Sequence, residues 1–488
     1  MTSRAEPAAG ARRLSLAASL LPLAVLLGCF IAAALTAGLA AETLILAMLV
    51  AASVAGAQAV WTGAGWDDVQ RATGEKIAAV LPVILILLTI GLLIACWVTS
   101  GTIPLLVSWG IEFVRPRFFA LTAFVVMAVT SLCTGTSWGS AGTLGVALVG
   151  AAAALEAPLP VVAGAVVSGA YLGDKMSPLS DSTNICAIGA DADLYAHIRH
   201  MLYTALPSAA IALVVFAFVG ARTADAVLPE TAAFLVEEID ATFRLGPLVL
   251  LPVAVVLAGI AWRRPPALVL ASSSLVALAI GVGYQGFDLG GALIAAVRGF
   301  QASMLTDLGA APGALSAGFL RVVERGGLYS MAPTLVVILA AFLFAAALEV
   351  SGALDRVLAA LLASVRSVFG LIAATMAAGA VLISLTSHGG VTALIVGEMF
   401  QDAFRQRDLA PENLSRSLED SVTIVEPLLP WTVSAIFMAS TLGVPTLAYL
   451  PWAVFCYGGG FFSLLWAGLA RRRGFGIRRL APADPVSR

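Results

Sequence analysis

Residues 168–184 read SGAYLGDKMSPLSDSTN, with Asp174, Lys175 and Asp181 inside eight residues and Pro178 between them. What such a stretch can be depends on the chain around it, and that chain is oil-like. It is 60% hydrophobic and only 11% charged, against roughly 25% charged residues in a soluble protein. Apolar runs of about 20 residues recur, the length that spans a hydrocarbon core of roughly 30 Å. Leu14–Leu39, Ile77–Val98, Gly246–Trp262 and Met331–Val350 are the clearest. No soluble domain can bury so much apolar surface, so the sequence predicts an all-α polytopic membrane protein. The charged residues of 168–184 then lie within a membrane-embedded fold and need a physical reason to be there.

The first apolar run, Leu14 to Ala41, follows arginines 4, 12 and 13. It exceeds the about 7–15 residues of a cleaved signal core, which predicts a retained first span. Those arginines, with Arg471, Arg472, Arg473, Arg478 and Arg479 after the last apolar run, predict that both termini are cytoplasmic by the positive-inside rule, with an even number of crossings. The lipid bilayer is the expected surrounding partner; a homodimer is an open expectation. Net charge is −2 with no basic stripe outside the tails, which points away from nucleic acid. Cys29, Cys96, Cys133, Cys186 and Cys456 are scattered through apolar runs without a CxxC pair, and read as small buried hydrophobes. No cofactor is expected.

The chain repeats itself. At an offset of 251, Pro82 falls on Pro333, Ser100-Gly101 on Ser351-Gly352, Arg115 on Arg366 and Phe118 on Phe369. The offset drifts to 253 for Ser131-Leu132 against Ser384-Leu385, and to 246 for Asp174 against Asp420. Matched Pro, Ser-Gly and Arg are less easily accidental than matched leucines. The organisation expected is leading transmembrane helices in 1–76, a first repeat in 77–222, a linker in 223–330, a second repeat in 331–470 and a basic tail in 471–488. The linker holds the acidic stretch Asp225–Asp240, expected outside the bilayer, then two spans and an amphipathic connector, Gln285–Ser330. Repeated halves are the usual build of secondary transporters, with the substrate site between them near the midplane.

Each half has two stretches that make poor uninterrupted helices. In the first they are TSLCTGTSWGSAGTLG (Thr130–Gly145), with four glycines and seven hydroxyls, and the stretch around Pro178. In the second they are SLTSHGGVT (Ser384–Thr392) and LEDSVTIVEPLLPWT (Leu418–Thr432), with Pro427 and Pro430. Glycine and proline free backbone groups that lipid cannot satisfy. Irregular backbone at membrane depth is tolerated only inside protein or along a watery cavity. Four such stretches at matched positions point to one internal site.

A charge at the bilayer centre costs at least about 2.5–3.5 kcal/mol, so Asp174, Asp181 and Asp420 are not expected to face lipid. Freed carbonyls and the side-chain oxygens of Ser177, Ser180, Ser182, Thr183 and Asn184 are hard donors suited to Na⁺, and a carboxylate supplies charge or takes a proton. If Na⁺ and H⁺ compete for it, alternating access becomes antiport. Ser180, Asp181 and Asn184 have a capping role as the alternative. Lys175 reads either as counter-ion to Asp174 or as a residue snorkelling to the interface. His388, in a glycine-rich break, reads as a proton relay or a plain polar contact. His197 and His200 have metal-compatible spacing but no third ligand, and read as an interfacial loop. Arg115, Arg117, Arg263, Arg264, Arg405, Arg407 and Arg416 read as interface charges.

YLGDKMSPLSDSTN (171–184), GTSWGSAGTLGVAL (135–148) and LEDSVTIVEPLLPW (418–431) together resemble the NhaC-type Na⁺/H⁺ antiporter family, a likeness that runs from about Ile77 to the last span. The resemblance implies an inner-membrane secondary transporter exchanging Na⁺, in some members Li⁺, for H⁺, built from inverted repeats with re-entrant hairpins. It implies a cation and proton site of Asp174, Ser177, Asp181, Thr183, Asn184 and Asp420, with Asp174, Asp181 and Asp420 as the Na⁺ carboxylates. Thr134, Thr136, Ser137 and Thr143 would lie nearby, with Lys175, His388, Glu419 and Glu426 as supporting groups. Departures from the family pattern are Val422, where a small flexible residue is usual, Glu426, where a small hydroxyl is usual, and the surroundings of His388. Some relatives couple Na⁺ and H⁺ to organic anions such as malate and lactate.

Three other classes compete. GTSWG (Gly135–Gly139) fits G-x-S-x-G with His388 as a base, but no strand pattern supplies the strand–turn–helix that this motif needs. YLGD (Tyr171–Asp174) lacks the first glycine of an intramembrane aspartyl protease, and neither enzyme explains the duplication, so the chain is read as no enzyme. A passive channel would keep a residual conductance in Asp174→Asn. The nearest rival is an organic-anion or amino-acid exchanger of the same fold, which needs a cationic group facing the site; Lys175 is the candidate.

Overall fold

The computed structural model describes residues 14–36, 41–113, 116–155, 157–222, 230–262, 264–311, 313, 315–363, 365–473 and 475–480. The arginines at 4, 12, 13, 115 and 263, and the start of the acidic stretch at 225–229, lie outside the described residues. The described chain is helical, and its one β-type pairing is an isolated bridge between Leu409 and Arg479. Among the described residues seven helices are long and apolar enough to cross a membrane, or ten if three bent pairs each count as a span. Large apolar side chains stand exposed along these helices, Leu206, Val214 and Phe218 among them. In water such a girdle would be an aggregation surface; in a bilayer it is the lipid face.

The expected spans form with one correction. Leu16–Thr36, Leu81–Thr99 and Ala332–Val350 are helices where predicted. Gly246–Trp262, expected as an apolar run of spanning length, begins as a 3₁₀ turn over Pro247–Leu250 and is α-helical from Leu251 to Ala261. It bends by 102° from the preceding helix. Gly246 is fully extended and Pro247 lacks the N–H a continuing helix would need. The cysteines also divide: Cys96, Cys186 and Cys456 are buried as expected, Cys29 is half-buried, and Cys133 is exposed.

Leu81–Thr99 and Ala332–Val350 run in opposite senses. Lys76, just before the first, pairs with Glu349 at the end of the second at 2.5 Å. Gly91, in the later half of the first, lies so close to Gly327, just before the second, that a Cβ there would be 2.6 Å from its carbonyl oxygen. Each is followed by a short helix, Thr102–Phe113 and Ala353–Ala363, and then by a helical hairpin. The first hairpin joins Phe119–Thr134 to Val146–Ala154; the second joins Val368–Thr386 to Gly389–Arg405. Broken helices come next: Leu159–Met176 with Asp181–Gly189, and Pro411–Leu418 with Val433–Leu442. The long helices Leu194–Arg222 and Val454–Arg473 close the two series and pack on one another.

The hairpin tips are built alike. The first turns at Gly135 (φ 70°) and is capped by Thr136, whose hydroxyl accepts from Gly139 N–H at 3.2 Å. The second turns at Ser387 (φ 57°) and is capped by His388, whose Nδ1 accepts from Val391 N–H at 3.4 Å. Thr134 bonds Ser140 across the first tip, as Thr386 bonds Thr392 across the second. Each tip sits on the break of a broken helix. A Cβ on Gly135 would be 2.6 Å from Leu179, and Ser387 C=O accepts from Val433 N–H at 3.3 Å.

Candidate functional site

The first broken helix ends at Met176 because Pro178 removes a donor two residues on. Ser180 caps the resumed helix, accepting from Thr183 N–H at 3.4 Å. The carbonyls freed by the break are met by side chains from that same resumed turn. Thr183 donates its hydroxyl to Lys175 C=O at 3.1 Å, and Asn184 donates its amide to Ser180 C=O at 2.7 Å and Pro178 C=O at 3.1 Å. Ser177 is fully buried, and its hydroxyl accepts from Leu179 N–H at 3.3 Å. Capping thus falls to Ser180 rather than to Asp181, which is exposed at the first turn, while Asn184 satisfies freed carbonyls.

Asp174 occupies the last turn before the break and is buried. Its Oδ2 accepts from the Ser137 hydroxyl at 2.7 Å, reaching across from the first hairpin tip. Among the described residues its Oδ1 is buried with no hydrogen-bond partner. A buried carboxylate oxygen without a donor carries a large desolvation penalty, so an incoming cation or proton has something to gain there. Thr136 and Thr143 bond within the hairpin, Thr143 donating to Gly139 C=O at 2.7 Å.

Asp420 differs. It lies in a π turn, Glu419–Thr423, that bulges the second broken helix toward Lys175. Its Oδ1 accepts from Lys175 Nζ and, at 3.3 Å, from the Thr204 hydroxyl; its Oδ2 accepts from Ser463 at 2.7 Å. Both side chains of the Lys175–Asp420 pair are out of contact with solvent, 1% and 0% exposed. The long helix Val454–Arg473 makes room with Gly459, where a Cβ would collide with Asp420 Oδ1. Lys175 therefore neither snorkels nor stands beside Asp174 as a free counter-ion: it bridges the two broken helices. Among the described residues no three His, Cys, Asp or Glu side chains converge as a metal cluster, so Asp174, Asp181 and Asp420 do not meet at one point.

Around this pair lies a buried polar layer, three of whose members, His197, His200 and Arg416, were expected at the interface. His197 is fully buried, with Nδ1 2.7 Å from the Ser415 hydroxyl and Nε2 4.0 Å from Glu419 Oε2. Glu419 Oε1 accepts from Thr423 at 2.7 Å, while Oε2 has no hydrogen bond. His200 is buried as well, and Arg416 is completely so, its Nη1 donating to Gly476 C=O at 2.5 Å. Residues 475–480 fold back over the start of the second broken helix, where Gly476 meets Arg416 and Arg478 N–H donates to Asn413 at 3.1 Å. A signal existed: His197, His200, Thr204 and Ser208 fall on one helical stripe of an otherwise apolar helix. Ser463 had no such signal. His388 serves as the second hairpin's cap, and Glu426 is buried against Gly389, whose Cβ would lie 2.6 Å from its Oε2.

The chain matches the model of the Na⁺/H⁺ antiporter family over residues 3–183 and 169–469. It is 41% identical over 435 residues to an uncharacterized Na⁺/H⁺ antiporter of Haemophilus influenzae, covering 89% of this chain and 91% of that one. It is 35% identical over 411 residues to the Na⁺/H⁺ antiporter NhaC of Alkalihalophilus pseudofirmus, covering 83% and 86%. The malate-2H⁺/Na⁺-lactate antiporter of Bacillus subtilis is 32% identical over 435 residues, covering 89% and 91%.

Proposed function

Because the chain belongs to the Na⁺/H⁺ antiporter family, we propose that it exchanges Na⁺ for H⁺ across the cytoplasmic membrane by alternating access, with Asp174 as the carboxylate that carries either ion. The observation that carries this is the partner-free Oδ1 of Asp174, buried at a helix break beside the Ser137 hydroxyl. Na⁺ or a proton neutralises the carboxylate and lets the moving part cross; a bare carboxylate resists it, because an unpaired charge at membrane depth is expensive. One ion therefore has to be replaced by the other, and the cycle is an exchange. Ser177, Thr183 and Asn184 shape the break, and Asp181 stands at its exposed end. Asp420 is the anchor of Lys175 in this conformation, since its oxygens already accept from Lys175, Thr204 and Ser463. A single carboxylate exchanges one Na⁺ for one H⁺. Glu419, with a partner-free oxygen 4.0 Å from His197, is where a second proton per cycle would be held.

The two halves, 77–222 and 331–470, act in this proposal as inverted repeats. Their like-built hairpin tips and the opposite senses of Leu81–Thr99 and Ala332–Val350 support that. Arg199, Arg405 and Arg478 gather at the face where Leu194–Arg222 begins, which supports a cytoplasmic location for that face and for the C-terminus. The malate/lactate antiporter among the relatives gives the organic-anion exchanger its standing. Lys175 does not supply the cation such a cargo needs at this site, because Asp420 occupies it.

Purified protein in proteoliposomes with a pH-sensitive dye inside tests the proposal. Addition of NaCl or LiCl drives a proton flux that KCl does not, and Asp174→Asn abolishes it. Undiminished Na⁺-dependent flux in Asp174→Asn would remove Asp174 from the role.

A further inference from the structure

At the start of Leu194–Arg222, a recess of about 430 Å³ is lined by Ala196, Arg199, His200 and Tyr203 of that helix and by residues 475–478 of the tail. That volume is within the range of small-molecule sites. Its walls are fixed by packing. Gly476 turns the tail at φ 72°, where a Cβ would be 2.9 Å from the Trp466 ring. The turn seats Phe475 edge-on against both Tyr203 and Trp466, with ring centroids 4.9 Å apart in each pair. Trp466 in turn donates its indole N–H to Tyr203 C=O at 2.8 Å, tying the end of Val454–Arg473 to the start of Leu194–Arg222.

Two guanidiniums line the recess, and both are exposed. Arg199 donates Nε–H to Tyr195 C=O at 3.3 Å in its own helix, and among the described residues it has no carboxylate partner. Arg478 gives Nη1 to Glu412 at 2.9 Å; that carboxylate lies on the buried side, 9% exposed against 61% for Arg478. Among the described residues no carboxylate lines the recess. Asp193 caps the helix, accepting from Ala196 N–H at 2.8 Å, and Asp191 is paired with Arg405. Guanidinium forks with open N–H groups suit a phosphate. The wall below decides what carries that phosphate. Arg199, Tyr203, Leu206, Ala210 and Val214 recur at steps of four, three, four and four along one exposed face of the helix. From Arg199 to Val214 this stripe extends roughly 22 Å, at about 1.5 Å per residue, against about 15 Å for the hydrocarbon of one leaflet. It offers nothing to a soluble phosphate but covers an acyl chain. Tyr203 and Trp466 beside the arginines are the side chains that favour a membrane–water interface, and basic recesses between helices there take anionic headgroups.

We propose that this recess holds the headgroup phosphate of an anionic phospholipid on Arg199 and Arg478, with an acyl chain laid along Tyr203, Leu206 and Val214. The site is separate from Asp174, and the proposal rests on the membrane-spanning fold, not on Na⁺/H⁺ exchange. The tail that walls the recess also meets the second broken helix, through Arg478 N–H on Asn413 and Gly476 C=O on Arg416. A bound lipid therefore pins the tail to the start of that helix.

Titration of phosphatidylglycerol into the detergent-purified full chain, with bound lipid counted by native mass spectrometry, tests it. Phosphatidylglycerol is retained in preference to phosphatidylcholine, and Arg199→Gln weakens its binding about tenfold, the loss expected for one charge-assisted hydrogen bond. Arg199 is exposed and bonds only within its own helix, so that variant folds. Arg478→Gln also releases Glu412; it weakens lipid binding as well, with thermal unfolding measured alongside to confirm the fold. Arg405→Gln, on the same face but outside the recess, binds the lipid as the parent does. Asp174→Asn does so too, which keeps failure of the antiport proposal distinguishable from failure of this one. Equal retention of phosphatidylcholine, no loss in Arg199→Gln, or an equal loss in Arg405→Gln would each overturn it. Displacement of the lipid by glycerol 1-phosphate at equal concentration would also do so, since a soluble phosphate would then be the occupant.

Discussion

The Lys175–Asp420 pair permits a quantitative test of how the two broken helices are held together. Asp420→Asn keeps the shape of the side chain but strands the Lys175 cation in an interior where neither partner reaches solvent. Losing one member of such a buried pair destabilises by about 3–5 kcal/mol, because the remaining charge is left uncompensated. Lys175→Met strands Asp420 in the same way and carries a similar penalty. Removing both charges is expected to be far milder. The double variant forfeits at most the strengthened bonds from Thr204 and Ser463, about 1 kcal/mol each. With two single losses of at least about 3 kcal/mol and a double loss near 2, the coupling is about 4 kcal/mol or more. Unfolding in mixed micelles titrated with a denaturing detergent reads these differences. Each single variant should lose more than about 100-fold in its folding equilibrium constant, at roughly 1.4 kcal/mol per factor of ten. A double variant as unstable as the two singles added together would mean that the charges do not neutralise one another in the folded protein, and the assignment of Asp420 as the anchor of Lys175 would be abandoned.

Three further outcomes follow from the geometry. Ser137→Ala removes the hydroxyl that donates to Asp174 Oδ2; a hydrogen bond to a charged group contributes about 1.5–3 kcal/mol, so apparent Na⁺ affinity in the proteoliposome assay shifts by one to two orders of magnitude while the fold is retained. Gly135→Ala places a Cβ at φ 70° and against Leu179 and lowers thermal stability, whereas Ser387→Gly at the matching turn (φ 57°) is neutral or stabilising by up to about 1 kcal/mol; the reverse order would contradict the seating of the first tip on its break. His388→Asn preserves a capping acceptor and should keep both stability and proton flux, while His388→Ala loses about 1 kcal/mol of helix stability; loss of flux in the Asn variant would make His388 a proton carrier after all.

Much of the helical plan was legible because apolar runs and interrupted runs leave marks within a few residues. Pro178, Pro427 and the glycines around Gly135 announce the breaks wherever they occur, since a missing N–H or Cβ acts locally. The hydroxyl of Ser137 could be assigned to the neighbourhood of the site, but not to Asp174 Oδ2, 37 positions away in sequence. The misplacements have a common cause. His197, His200 and Arg416 are polar residues near helix ends, which composition alone sends to the interface; the tail at 475–480 folds back onto Arg416, and His197 is buried against Ser415 and Glu419. Asp181 was expected either in the cation site with Asp174 or as a helix cap, yet the break turns Asp174 inward and leaves Asp181 exposed.

By itself, then, the sequence determined that this is a helical membrane protein whose charged residues sit at broken segments, because hydrophobicity and backbone breaking are properties of short stretches. Only the tertiary structure decided which carboxylate is satisfied and which is not. Asp420 meets Lys175 from 245 residues away and Asp174 keeps one oxygen without a donor, and such partnerships depend on which helices pack together, not on any residue's neighbours in the chain.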